Sequence, residues 1–107
     1  MILADTSVWI DHLRGSDHVL SVHLERREVL AHPFVVGELA LGNLRNRDAI
    51  IADLGSLPQA VSASDEEALG LVGQSRLSGL GIGWVDAHLI ASVLLTPGAR
   101  LKIGRAH

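Results

Sequence analysis

Cysteine is absent from this chain of 107 residues, and so is tyrosine. Without thiols there is no disulfide framework and no thiolate zinc site, which fits a reducing, cytoplasmic setting. Aromatic residues are reduced to one Phe and two Trp. That scarcity argues against a platform on which a run of unpaired bases stacks. No apolar run is long enough to span a bilayer. No basic stretch leads into an apolar segment with a cleavage site, so no signal peptide is expected. Positive charge is not in excess either. The net charge is −3, which excludes a chain built as a polycation. Lysine occurs once, as Lys102, and the other basic residues are arginines, which fork onto phosphate better than lysine does. A bias in the coding sequence would explain that preference equally well.

What is present is apolar. Such residues make up 48% of the chain and mean hydropathy is +0.31, well on the globular side of the disorder boundary. The length suits one small domain over 1–107, with apolar surface to spare for a partner or a second copy. Ile2-Leu3-Ala4-Asp5 reads as a short buried strand. Thr6-Ser7 then caps a helix that Gly15 ends. A second helix is expected from about Asp17 to Arg27, with Leu20 and Leu24 on its buried face, followed by a strand over Glu28 to Ala31. Pro33 suits the first turn of a helix that runs to about Leu44. Another spans Arg47 to Leu54. Leu57 to Ala63 reads as a loop and short strand. Ser64 and Glu67 form a capping box for a helix reaching Leu77. Val85 to Leu95 is the last helix, and Ala99 to Ile103 a closing strand. Strands alternating with helices predict an α/β fold, a three-layer α/β/α sandwich around a central parallel sheet.

Three carboxylates stand in apolar surroundings. Asp5 closes the first strand, at the edge where open α/β sheets bind ligands, although a helix N-cap would also explain it. Glu38 is the only charge between Pro33 and Gly42, on a helix apolar all round and therefore expected to be buried. Asp86 opens the apolar run from Ala87 to Leu95, where capping alone would also account for it. If the fold brings the three together, their natural shared partner is a hard divalent cation, Mg²⁺ or Mn²⁺. Ser7 has a hydroxyl that can reach a carboxylate, a cation's water or a phosphate. Asp11 and Asn43 are weaker candidates for the surroundings of such a site, and Arg14 and Arg45 for contacts to a phosphate backbone.

Other chemistry finds little support. None of the histidines forms an H-x-x-x-H or H-E-x-x-H pattern, and most are expected at the surface or half-buried. Gly79-Leu80-Gly81-Ile82-Gly83 lacks both the dinucleotide fingerprint and the P-loop ending, so it reads as a connection. Aspartyl-phosphate chemistry at Asp5 usually wants a second Asp two residues on. Ser7 stands there, and no well-placed lysine completes the site.

MILADTSVWIDHL (Met1 to Leu13) resembles the opening of PIN-domain ribonucleases, specifically the VapC-type toxins of type II toxin–antitoxin pairs. HPFVVGELALGNLR (His32 to Arg45) is similar to the segment bearing the family's second acid, and GIGWVDAHLIASVLL (Gly81 to Leu95) to the segment bearing the third. The resemblance implies that Asp5, Glu38 and Asp86 are the catalytic, metal-holding acids and that Ser7 supports them. It implies Mg²⁺- or Mn²⁺-dependent cleavage of RNA, transfer or ribosomal, by a cytoplasmic homodimer that an antitoxin silences. Members usually add a Thr-x-Asp-like segment with a fourth acid, then a last helix and strand. Here Leu101 is followed by Lys102-Ile103-Gly104-Arg105-Ala106-His107, with Arg105 or a neighbour where that acid would align. A PIN module that cuts weakly or not at all, yet still binds antitoxin, is the alternative the departure implies.

Overall fold

In the computed structural model, which describes residues 1–15 and 18–104, the opening apolar strand lies at the centre of the sheet. β1 (Ile2–Ala4) is flanked by β2 (Val29–Leu30) and β3 (Arg100–Lys102), both parallel to it, in the order β2-β1-β3. The register pairs Leu3 with Leu30 on one side and with Leu101 on the other. Parallel strands covered on both faces read as continuous apolar runs, which is why Ile2-Leu3-Ala4 shows no alternation. Leu3 and Ala4 have no exposed surface.

Six helices are described among these residues: α1 (Thr6–Leu13), α2 (Val19–Glu25), α3 (Pro33–Leu41), α4 (Arg47–Gly55), α5 (Asp65–Gln74) and α6 (Trp84–Leu95). With the parallel sheet they make an α/β fold. Around Leu3 the core gathers Val8 and Trp9 of α1, Leu20 of α2, Val35 and Leu39 of α3, Leu54 of α4 and Leu89 of α6. Burying each large aliphatic chain there contributes about 1.5–3 kcal/mol. A smaller cluster of Ala63, Ala68 and Ala91 lets α5 and α6 pack closely.

Two start signals hold. Pro33 occupies the first turn of α3, and Ser64 and Glu67 close the capping box of α5 reciprocally. The ends run shorter than expected: α3 stops at Leu41 and α5 at Gln74. The strand expected within 57–63 does not form. Only Gln59 bridges to Ala31, because Pro58 brings no N–H to a ladder. Asp17, the expected start of α2, and Arg105 lie outside the described residues. Among the described residues, no helix is long and apolar enough to cross a membrane.

Candidate active site

Asp5 follows the central strand directly, and its amide donates to the Lys102 carbonyl at 3.0 Å. It is the N-cap of α1, a role expected of Thr6-Ser7. Its Oδ1 accepts from the Val8 amide at 3.0 Å and from the Ser7 hydroxyl at 2.8 Å, while Oδ2 accepts from the Gly104 amide at 3.0 Å. The carboxylate is therefore buried at 8% exposure with three donors and, among the described residues, no basic side chain ion-paired to it. The cap reading of Asp5 holds, and the cap leaves the carboxylate on the lining of a cleft. Gly104 approaches Ser7 so closely that a Cβ there would overlap the Ser7 hydroxyl, so a larger residue would have to turn that hydroxyl off Asp5.

Glu38 corrects an expectation. It is exposed rather than buried. α3 buries Val35 and Leu39, one turn apart, and turns Gly37, Glu38 and a nearly bare Leu41 outward. An all-apolar helix at the border of a small domain has too little neighbouring chain to cover every face. Glu38 is held by the Thr6 hydroxyl, which donates to Oε1 at 2.8 Å. Asp86 is also exposed and lies in the first turn of α6, where the macrodipole favours an anion. The N-cap there is Gly83, which offers no side chain.

The fold nevertheless brings the three acids to one place. Asp5, Glu38 and Asp86 line a single open cleft of about 310 Å³ together with Thr6, Ser7 and Trp84. Among the described residues, none of the three carboxylates forms an ion pair with a basic side chain. The donor set suits a hard divalent cation, since carboxylate and hydroxyl oxygens line the cleft and neither sulfur nor imidazole does. Among the described residues, no three acidic or imidazole side chains stand gathered as a ready ligand sphere. Glu38 is turned to Thr6 and Asp5 into its cap. The two exposed acids would have to swing inward to clasp an ion.

A larger groove of about 510 Å³ adjoins the cleft and shares Glu38 with it. Its floor is Ile10, Leu13, Leu39, Leu44 and Ile50, and Arg14, Asn43 and Arg45 lie on its lining. Both arginines singled out from the sequence therefore line a groove that reaches Glu38. Asp11 does not line the cleft.

Sequence reasoning missed Thr6, Trp84 and two histidines. His32 and His88, expected at or near the surface, are among the most buried side chains. Each has a polar partner, which makes burial tolerable. His32 Nδ1 accepts from the Phe34 amide and its Nε2 meets the Ser92 hydroxyl, both at 3.0 Å. His88 Nε2 lies 2.9 Å from Asp65 Oδ1. Burial, and then the nearby His88 charge, pushes the His32 imidazole below its ordinary range. A histidine just before a helix-opening proline was the available signal for a cap. Elsewhere, a hydrogen bond from His23 lowers the Glu28 carboxyl, away from the cleft.

No protein-family model matches the chain. Two curated relatives, both described as Ribonuclease VapC32, come from Mycobacterium tuberculosis strains CDC 1551 / Oshkosh and ATCC 25618 / H37Rv. Each is 50% identical to this chain over 101 residues, covering 94% of the chain and 82% of the relative.

Proposed function

This chain belongs to the VapC family of ribonucleases, and from that premise we propose that it is a divalent-metal-dependent endoribonuclease toxin of a type II toxin–antitoxin pair. It acts in the cytoplasm on transfer or ribosomal RNA, on a PIN-like three-layer α/β/α frame spanning 1–107. The observation that carries the reading is the meeting of Asp5, Glu38 and Asp86 on one cleft, with no basic residue paired to them among the described residues. In this reading the three carboxylates hold Mg²⁺ or Mn²⁺. When bound there, such an ion makes water a better nucleophile and stabilises charge on the phosphate oxygens. Ser7 and Thr6 set the angles of Asp5 and Glu38 through their hydrogen bonds. Arg14 and Arg45 carry the RNA backbone along the adjoining groove, each as a fork onto phosphate. The antitoxin covers that same apolar groove. Leu41, Leu69, Leu80 and Leu94, all well exposed, support a homodimer, which sedimentation would detect.

Asp5→Asn is the decisive variant. Asparagine is as good an N-cap as aspartate, so α1 should survive while the charge is lost. We expect Mn²⁺-dependent cleavage of RNA to fall by at least the ~100-fold seen at the upper end for changes around metal ligands. Equal cleavage by wild type and variant would refute the site. If both are equally inert and antitoxin still binds, the chain is a binding module rather than a nuclease.

A further inference from the structure

On the ribonuclease reading above, we propose that Trp84 is the seat on which one nucleobase of the RNA stacks, next to the phosphate being cut. Trp84 opens α6 two residues before Asp86 and lines the carboxylate cleft itself. It is 43% exposed, whereas the other tryptophan, Trp9, is buried in the core at 4%. The scarcity of aromatics rules against a platform for many bases and is compatible with a single seat.

The ring is braced from behind. Its partner is the His88 ring, perpendicular to it at 88° with centroids 4.6 Å apart. His88 is itself fixed, by Asp65 at 2.9 Å and by the Phe34 ring at 4.6 Å. A wide, pre-oriented aromatic surface beside a phosphate-handling cleft loses little freedom when a base settles on it. Stacking is indifferent to base identity because every base has a π-face. Trp84 would therefore set where the strand lies rather than which sequence is cut.

Trp84 also covers a shallow hollow between α5 and α6, beside Leu69, Leu77 and Ile82. Plain packing over that hollow is the competing explanation, and leucine separates the two. Trp84→Leu keeps an apolar cover and removes the ring; Trp84→Phe keeps a ring.

The test titrates the full chain, with chelator and no divalent cation, with a single-stranded RNA of mixed sequence, following tryptophan fluorescence. Wild type should be quenched, and Trp84→Phe should not, which assigns the signal to Trp84. A fully abasic strand of the same length should leave the fluorescence unquenched. Trp84→Leu should bind about 10- to 100-fold more weakly, with Trp84→Phe within about threefold of wild type. With Mn²⁺ present, the loss in Trp84→Leu should fall on KM rather than kcat. Wild-type affinity in Trp84→Leu, or equal quenching by the fully abasic strand, would overturn the proposal. A wild type that cuts RNA while Trp84→Leu cuts it with unchanged KM defeats the base seat and leaves the ribonuclease reading standing. Quenching that needs the bases, in a wild type that never cuts, defeats the ribonuclease reading and leaves the seat.

Discussion

His32 does two things with one ring. Its Nδ1 accepts the Phe34 amide at the start of α3, so its proton sits on Nε2 and is donated to Ser92 of α6. Ser92 also accepts from the Ala63 amide at 3.2 Å, so the ring links three segments. A second proton would have to enter at Nδ1, against an N–H that already points there. Burial depresses the imidazole below its ordinary 6.5, with the charge of His88 adding to the effect. The unfolded chain then binds a proton that the folded one refuses, so stability rises with pH through this window. The contribution is full above 6.5 and is lost as pH falls through the unfolded value towards the lower folded one. We expect the melting temperature to drop between about pH 8 and about pH 5, with a shallower drop in His32→Asn, which can keep the cap but not the buried imidazole. An identical slope in the variant would move the effect to another group. His32→Ala, which removes both bonds, should cost about 1–3 kcal/mol at neutral pH, measured by denaturant melts.

Individual residues were unequally legible. Asp5 announced itself because a charge closing an apolar strand has few places to go. Glu38 was singled out for burial it does not have, and its exposure became visible only once α3 was seen to have an uncovered side. Thr6 looked like a capping residue, and nothing local says that its hydroxyl reaches Glu38, thirty-two positions away.

At the level of elements, local chemistry was the better guide. The capping box at Ser64 and the proline at 33 marked their helices because caps and backbone constraints act within one turn. Helix ends were less legible, since fraying and packing settle them together. The edge of the sheet was not legible at all near Pro58, where one bridge replaces a strand. α5 rests on its cap and on a small alanine cluster rather than on large apolar residues. Ser64→Ala should therefore lower stability by about 1 kcal/mol, within the ~0.5–2 kcal/mol range of lost caps. Hydrogen exchange should speed up in α5 first. A uniform increase across the chain would mean that α5 does not open by itself.

For the whole molecule, the proposed site is a property of the assembled fold, because its acids come from three separate elements. A cation bound by them favours the folded state over the unfolded one. At a hundred times its dissociation constant, it would add about 2.7 kcal/mol. At that concentration we expect Mn²⁺ to raise the melting temperature of wild type by about 10–20 °C, at roughly 4–8 °C per kcal/mol for a domain this size, and to do much less for Asp5→Asn. A shift of equal size in both would place the ion elsewhere.

The position of the first strand has a consequence for how the protein is made. β1 is synthesised well before one of its two neighbours, β3, and the Gly104 amide that holds Asp5 lies ninety-nine residues downstream. At about 5–20 residues per second, the nascent chain spends several seconds with its central strand unflanked on one side. During translation, then, the carboxylate cleft stays unfinished until β3 and Gly104 have been added.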